Sequence, residues 1–167
     1  MENIQIHRVY AKNFRFEFND TVVEKTALSL VNYDAWQPQI SLQVNPRFKA
    51  LKGGRYELVL ATQIMLHDPN QTEPLVSVYV EQAGLFTLPK VSKKEYEKLL
   101  YGVCANFLFP YMGATINALL AQAALAPIYL APVDFVVLYE RYAAEQAQNK
   151  IAKNFFVSSS YNEKTIH

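Results

Sequence analysis

Cysteine is nearly absent from this chain: Cys104 is the only one in 167 residues. No intrachain disulfide can form, and a reducing, cytoplasmic setting suits the chain. A solitary cysteine of this kind reads as a small buried hydrophobe rather than a reactive thiol. Histidine is almost as sparse, and His7, His67 and His167 are too scattered to form a clustered metal site. An excess of either charge is missing too. The formal net charge is +1, and no basic block exists beyond Lys93-Lys94, which excludes an electrostatic nucleic-acid binder. Nucleophile motifs such as G-x-S-x-G and phosphate-cradling glycine loops are lacking; Gly53-Gly54 suits a turn. Glu95 and Glu97, two apart, would lie on different helix faces, and Asp134 reads as a helix cap rather than a general base. The expectation is a protein without catalytic residues, cofactor or metal. The polar start MENIQIHRVY enters a strand pattern at once, unlike a secretory leader.

What is present is apolar. Hydrophobic residues make up 51%, charged residues 19% and aromatic residues 13%, the last including 11 tyrosines and 10 phenylalanines. One domain of this length can bury a core unaided, and the surplus aromatics fit either core or a binding surface. From Ala105 to Val133 no residue is charged. Within it the spacing of Met112, Ile116, Leu119, Leu120 and Ala123 predicts a helix over about 110–125, with Pro110 at its first position and Pro127 blocking continuation. The opposite face is small: Gly113, Ala114, Asn117, Ala118 and Ala121. A bilayer span needs roughly 20 apolar residues, more than lie between the two prolines, so another subunit is the expected cover.

Ahead of that helix the pattern is β. Even positions from Ile4 to Phe18 are mostly apolar, with Arg8 and Lys12 as breaks; Ile40, Leu42 and Val44 alternate with polar residues until Asn45-Pro46. A third strand holds Tyr56, Leu58, Leu60, Ile64 and Leu66, and a fourth runs from about Leu75 to Phe86. Four strands with short links predict an antiparallel meander. Ser92 and Glu95 match a capping box that opens a helix over about 93–104, and Asp134 can cap a last helix carrying Phe135, Leu138 and Tyr142. Strands followed by helices give an α+β domain, expected to occupy 1–148, with 149–167 a polar, flexible tail.

Four segments stand out together: Trp36-Gln37-Pro38, Glu81-Gln82-Ala83-Gly84-Leu85-Phe86, CANFLFPY from Cys104 to Tyr111, and LAPVDF from Leu130 to Phe135. In this order and spacing they resemble SecB, the bacterial protein-export chaperone family. The resemblance implies a four-stranded antiparallel sheet backed by helices and assembled as a homotetramer, a dimer of dimers. It implies an ATP-independent cytoplasmic holdase that binds unfolded precursor polypeptides in apolar grooves and passes them to the SecA motor, with neither nucleic acid nor membrane insertion involved. The client groove would use Trp36, Ile40, Leu42 and Val44. The subunit interfaces would use Val78, Val80 and the small helix face at Gly113, Ala114, Asn117, Ala118 and Ala121.

The SecA-docking face would hold Glu17, Asn13, Ser77 and Tyr79. Glu17 keeps an acidic position, whereas Asn13 and Tyr79 replace carboxylates and Ser77 a large apolar residue. Losing charge pairs weakens electrostatic docking. Two further readings stand beside export: a SecB-like chaperone dedicated to one client, such as an antitoxin, and a small-molecule-binding protein on the same scaffold.

Overall fold

The structure, a computed structural model, describes residues 3–21, 38–148 and 157–161, the last as backbone alone. Strands β1 (Gln5–Phe18), β2 (Gln39–Ala50), β3 (Arg55–His67), β4 (Val76–Thr87) and β5 (Val157–Tyr161) form one sheet in the order β1-β4-β3-β2-β5, with every pairing antiparallel. The four-stranded antiparallel sheet of the expected α+β fold is present, but the simple meander is not. Only β2, β3 and β4 follow one another; β1 lies beyond β4, the 1-4-3-2 order of a Greek key. The tail supplies β5, which pairs with β2 over Ile40–Val44.

The two breaks in β1 have a physical cause. The β1–β4 register shifts between Ile6 and Arg8 and again between Ala11 and Asn13. Each extra residue reverses the alternation of side chains. Ile6, Val9, Ala11, Phe14, Phe16 and Phe18 therefore stand opposite the inward residues of β4, while Arg8, Tyr10, Asn13, Arg15 and Glu17 fall on the outer face. Strand β2 continues through Asn45-Pro46 instead of ending there. Pro46 lies beyond the stretch paired to β5, so its missing N–H costs the tail strand no bond.

Helix α1 (Lys93–Gln122) is continuous, where the sequence suggests two helices. It opens on the expected capping box, with Glu95 N donating to Ser92 Oγ and Ser92 N donating to Glu95 Oε2. It widens into a π-helical stretch at Leu99–Cys104 and resumes as α-helix from Ala105. Pro110 thus lies inside the helix, not at its start. It sits on the exposed side, where water can serve the carbonyl that a proline ring leaves free.

The end of α1 is a Schellman turn: Leu125 N donates to Leu120 O at 2.9 Å and Ala124 N to Ala121 O at 3.0 Å, with Ala124 at φ 55°. Helix α2 (Phe135–Gln148) is capped by Asp134 as expected, since Asp134 Oδ1 accepts from Val136 N and Val137 N. By length and composition α1 could cross a membrane. Here its Leu108, Met112, Ile116 and Leu120 are buried in the core against the inner sheet face, with Phe86 and Phe135.

Candidate functional site

Three surfaces stand out among the described residues. The first is an aromatic seam. Phe48 and Tyr56 come from the inner faces of β2 and β3 at their hairpin end, while Tyr96 and Tyr101 come from the first turns of α1. Phe48 meets Tyr101 edge-on at 5.1 Å and Tyr96 at 6.2 Å, and Tyr56 stacks on Tyr96 at 5.7 Å. All four are half-buried. Such pairs contribute about 0.5–1.5 kcal/mol each beyond area burial, and the rings keep part of their surface exposed.

The second surface is the small face of α1. Ala114, Ala118 and Ala121 are exposed there and Gly113 is half-buried. Beside them an apolar groove of about 370 Å³ runs between Phe109, Pro110 and Gly113 on the helix and Tyr129, Leu130 and Pro132 on the following loop. Tyr129 is 78% exposed. Asn117 differs from its neighbours: it spends both side-chain polar atoms on Ile128, with its Nδ2 donating to the carbonyl and its Oδ1 accepting from the amide. It clamps the loop to the helix while lining the same groove.

The third is the outer face of the sheet. Glu17 stands opposite Ser77, Arg15 opposite Tyr79 and Asn13 opposite Glu81, so the four residues assigned to SecA docking do share one face. Glu57, only 6% exposed, accepts from Lys12 Nζ at 2.7 Å, from Lys49 Nζ at 3.2 Å and from the Tyr10 hydroxyl. Burial pushes this carboxyl up, but the hydrogen bonds from Lys12, Tyr10 and Lys49 outweigh burial and hold its pKa at about 2. The Tyr10 phenol is pushed up to about 12 by burial and by Glu57. Glu81 accepts from Tyr79 Oη at 2.7 Å and from Arg47 at 2.5 Å, and both bonds lower its pKa.

Several expected site residues lie elsewhere. Ile40, Leu42 and Val44 are buried in the core, because they point to the one sheet face that α1 packs against. Val78 and Val80 are buried on that same face, at 1% and 0% exposure, and offer nothing to a second subunit. Trp36 lies outside the described residues. The seam residues Phe48 and Tyr101 were not anticipated. Their signal was the tyrosine-rich composition together with the even parity of Phe48 and Tyr56, but two strand ends and a helix start meet only in the fold. Cys104 is buried, as expected, and its thiol is pushed up to about 12 by burial. Among the described residues no three His, Cys, Asp or Glu side chains group as a metal site.

Aromatic, small-residue and charged surfaces thus surround one helix-backed antiparallel sheet. The fold is similar to that of the Mycobacterium tuberculosis SecB-like chaperone Rv1957, solved in complex with a ChAD peptide from the HigA1 antitoxin Rv1956. The TM-score is 0.60 at 14% identity, covering 78% of this chain and 90% of that one. The chain belongs to the SecB family: the model of the preprotein translocase subunit SecB matches residues 1–146. It is 28% identical over 149 residues to the protein-export protein SecB of Alcanivorax borkumensis, covering 89% of this chain and 90% of the relative. With its namesake from Dechloromonas aromatica it shares 36% over 111 residues, 66% of this chain and 72% of that protein. The Pseudomonas fluorescens protein of the same name is 30% identical over 134 residues, 80% and 78% of the two chains.

Proposed function

We propose that this SecB-family chaperone is an ATP-independent cytoplasmic holdase that binds unfolded precursor polypeptides and delivers them to SecA. The observation that carries the client part is the seam of Phe48, Tyr56, Tyr96 and Tyr101, whose half-buried rings supply apolar area on rigid elements. Client burial there yields about 25 cal/mol per Å² of apolar area, offset by the freedom the client loses. Broad, weakly selective binding follows. Trp36, the only tryptophan, belongs to the same client surface in this reading. The working form is a homotetramer in which the small face of α1 at Ala114, Ala118 and Ala121 meets its counterpart, an arrangement supported by its exposure in the protomer.

Trp36 fluorescence tests the client site. It should change on adding a urea-unfolded polypeptide and stay constant with the same polypeptide folded, and paired Tyr56→Ser and Tyr96→Ser changes should weaken that response. Equal responses to both forms would reject the site. A second reading, a chaperone dedicated to one client with little SecA coupling, is favoured by the sheet face, where Asn13, Ser77 and Tyr79 bring no carboxylate. Calorimetry against SecA from the same organism separates the two: micromolar binding supports export, and none from a folded oligomer supports the dedicated client.

A further inference from the structure

The outer face of the sheet is cationic, although the whole chain is nearly neutral. Arg8, Lys12 and Arg15 rise from β1 and Arg47 and Lys49 from β2, against the three carboxylates Glu17, Glu57 and Glu81. The placement of these charges matters more than their number. Glu57 and Glu81 lie low in the face, their side chains 8% and 12% exposed; Glu57 is bonded to Lys12 and Lys49, Glu81 to Arg47, and each also to a tyrosine hydroxyl. Arg47 and Lys49 keep 51% and 59% of their side chains exposed. Arg8 and Arg15 lie over the rings of Tyr10 and Tyr79, at 4.9 and 5.5 Å from their centroids, and form no ion pair among the described residues. Among the described residues of this face, Glu17 alone presents an exposed carboxylate.

From this arrangement we infer that the outer sheet face is a docking surface for an acidic polypeptide segment, with partner carboxylates seated in the hollow of about 130 Å³ rimmed by Lys12, Arg47 and Lys49 and along the Arg8–Arg15 row. The two low carboxylates do not repel such a segment, because their charge is already spent on Lys12, Lys49 and Arg47. Their hydrogen bonds hold those cations in place, so less side-chain freedom is lost on binding. Stacking on Tyr10 and Tyr79 does the same for the guanidinium groups, whose forked donors match carboxylates. Residues two apart on a strand repeat at about 6.8 Å, which an extended peptide with alternate acidic residues can match. A nucleic acid is the poorer fit: such binders carry a basic field over the domain, with pI above about 9, whereas this chain has pI 7.8. The inference does not rest on the client part of the proposed function, which concerns the seam on the other side, and it uses the same sheet face as Glu17, Asn13, Ser77 and Tyr79, the residues assigned to SecA docking.

Fluorescence anisotropy of the full chain with a labelled 15-residue peptide of alternating Glu and Ser tests the surface, using the Gln-Ser analogue and a single-stranded oligonucleotide as the other arms. The acidic peptide is expected to bind at 50 mM salt, at least tenfold more tightly than the Gln analogue, and to weaken at least tenfold at 300 mM salt. Arg8→Glu and Arg15→Glu, each outside the ion pairs, should each reduce acidic-peptide affinity severalfold while leaving the Trp36 response to unfolded protein unchanged. Equal affinity for the Glu and Gln peptides, or tighter binding of the oligonucleotide than of the acidic peptide, would overturn the assignment.

Discussion

Asn117 grips Ile128 by both backbone groups, donating from Nδ2 to its carbonyl at 3.0 Å and accepting from its amide at 2.9 Å. The pair ties the loop after α1 back across the helix and completes one wall of the apolar groove. A net hydrogen bond contributes about 1 kcal/mol and leaving its partner unsatisfied costs more. Asn117→Ala should therefore destabilise the protomer by about 2–3 kcal/mol in urea unfolding, and Asn117→Asp, which keeps the acceptor but sets an anionic oxygen against the Ile128 carbonyl, by at least as much. A change within 0.5 kcal/mol for the alanine variant would deny the clamp.

The Schellman turn of α1 places Ala124 at φ 55°, a conformation that costs an L-residue about 1–2 kcal/mol and glycine almost nothing. Because glycine also frees the unfolded chain, the net gain from Ala124→Gly should be about 0.5–1 kcal/mol. Thermal unfolding measures it, and a lower midpoint than wild type would contradict the turn.

Gly84 has a Phe86 ring carbon 2.5 Å and Leu108 Cδ2 2.9 Å from where a Cβ would stand. The Phe86 ring folds over this gap, between strand and helix, and is fully buried. Gly84→Ala should cost about 1–3 kcal/mol, the usual range for overpacking; an unperturbed unfolding midpoint would contradict the packing.

Ala118 is exposed on the small face of α1, so under the proposed homotetramer Ala118→Glu should leave the protomer folded by circular dichroism while lowering the mass in light scattering from tetramer to dimer. An unchanged mass would exclude this face as an interface.

The Glu57 carboxyl stands at about 2 in the fold against an ordinary 4.5. Because its folded value is the lower one, the stabilisation it provides is complete above pH 4.5 and is lost as pH falls from there towards 2. Wild type should lose stability across that window more steeply than Glu57→Gln, read from urea midpoints at pH 5, 4 and 3. Parallel curves for the two proteins would remove Glu57 from the acid limb.

What neighbouring residues decide was legible in the chain. The Ser92–Glu95 box, the Asp134 cap, the alternation of β2, β3 and β4 and the apolar stripe of Met112, Ile116 and Leu120 depend on spacings of two to four residues, and each lies in the structure as its spacing implied. The family resemblance was equally legible, because its segments are short and ordered. Long-range pairing decided the rest. Only the placement of β1 beside β4 reveals the two register shifts that turn Arg8 and Tyr10 outward. Only the helix layer shows that Ile40, Leu42, Val44, Val78 and Val80 are core, since an alternating strand marks an apolar face without saying what covers it. Pro110 inside α1 follows the same rule: local preference favours a helix start there, and burial of the α1 stripe on both sides of it held the helix continuous. The cations of the outer face come from strands at opposite sides of the sheet, and no spacing along a chain can bring Arg15 and Lys49 onto one surface.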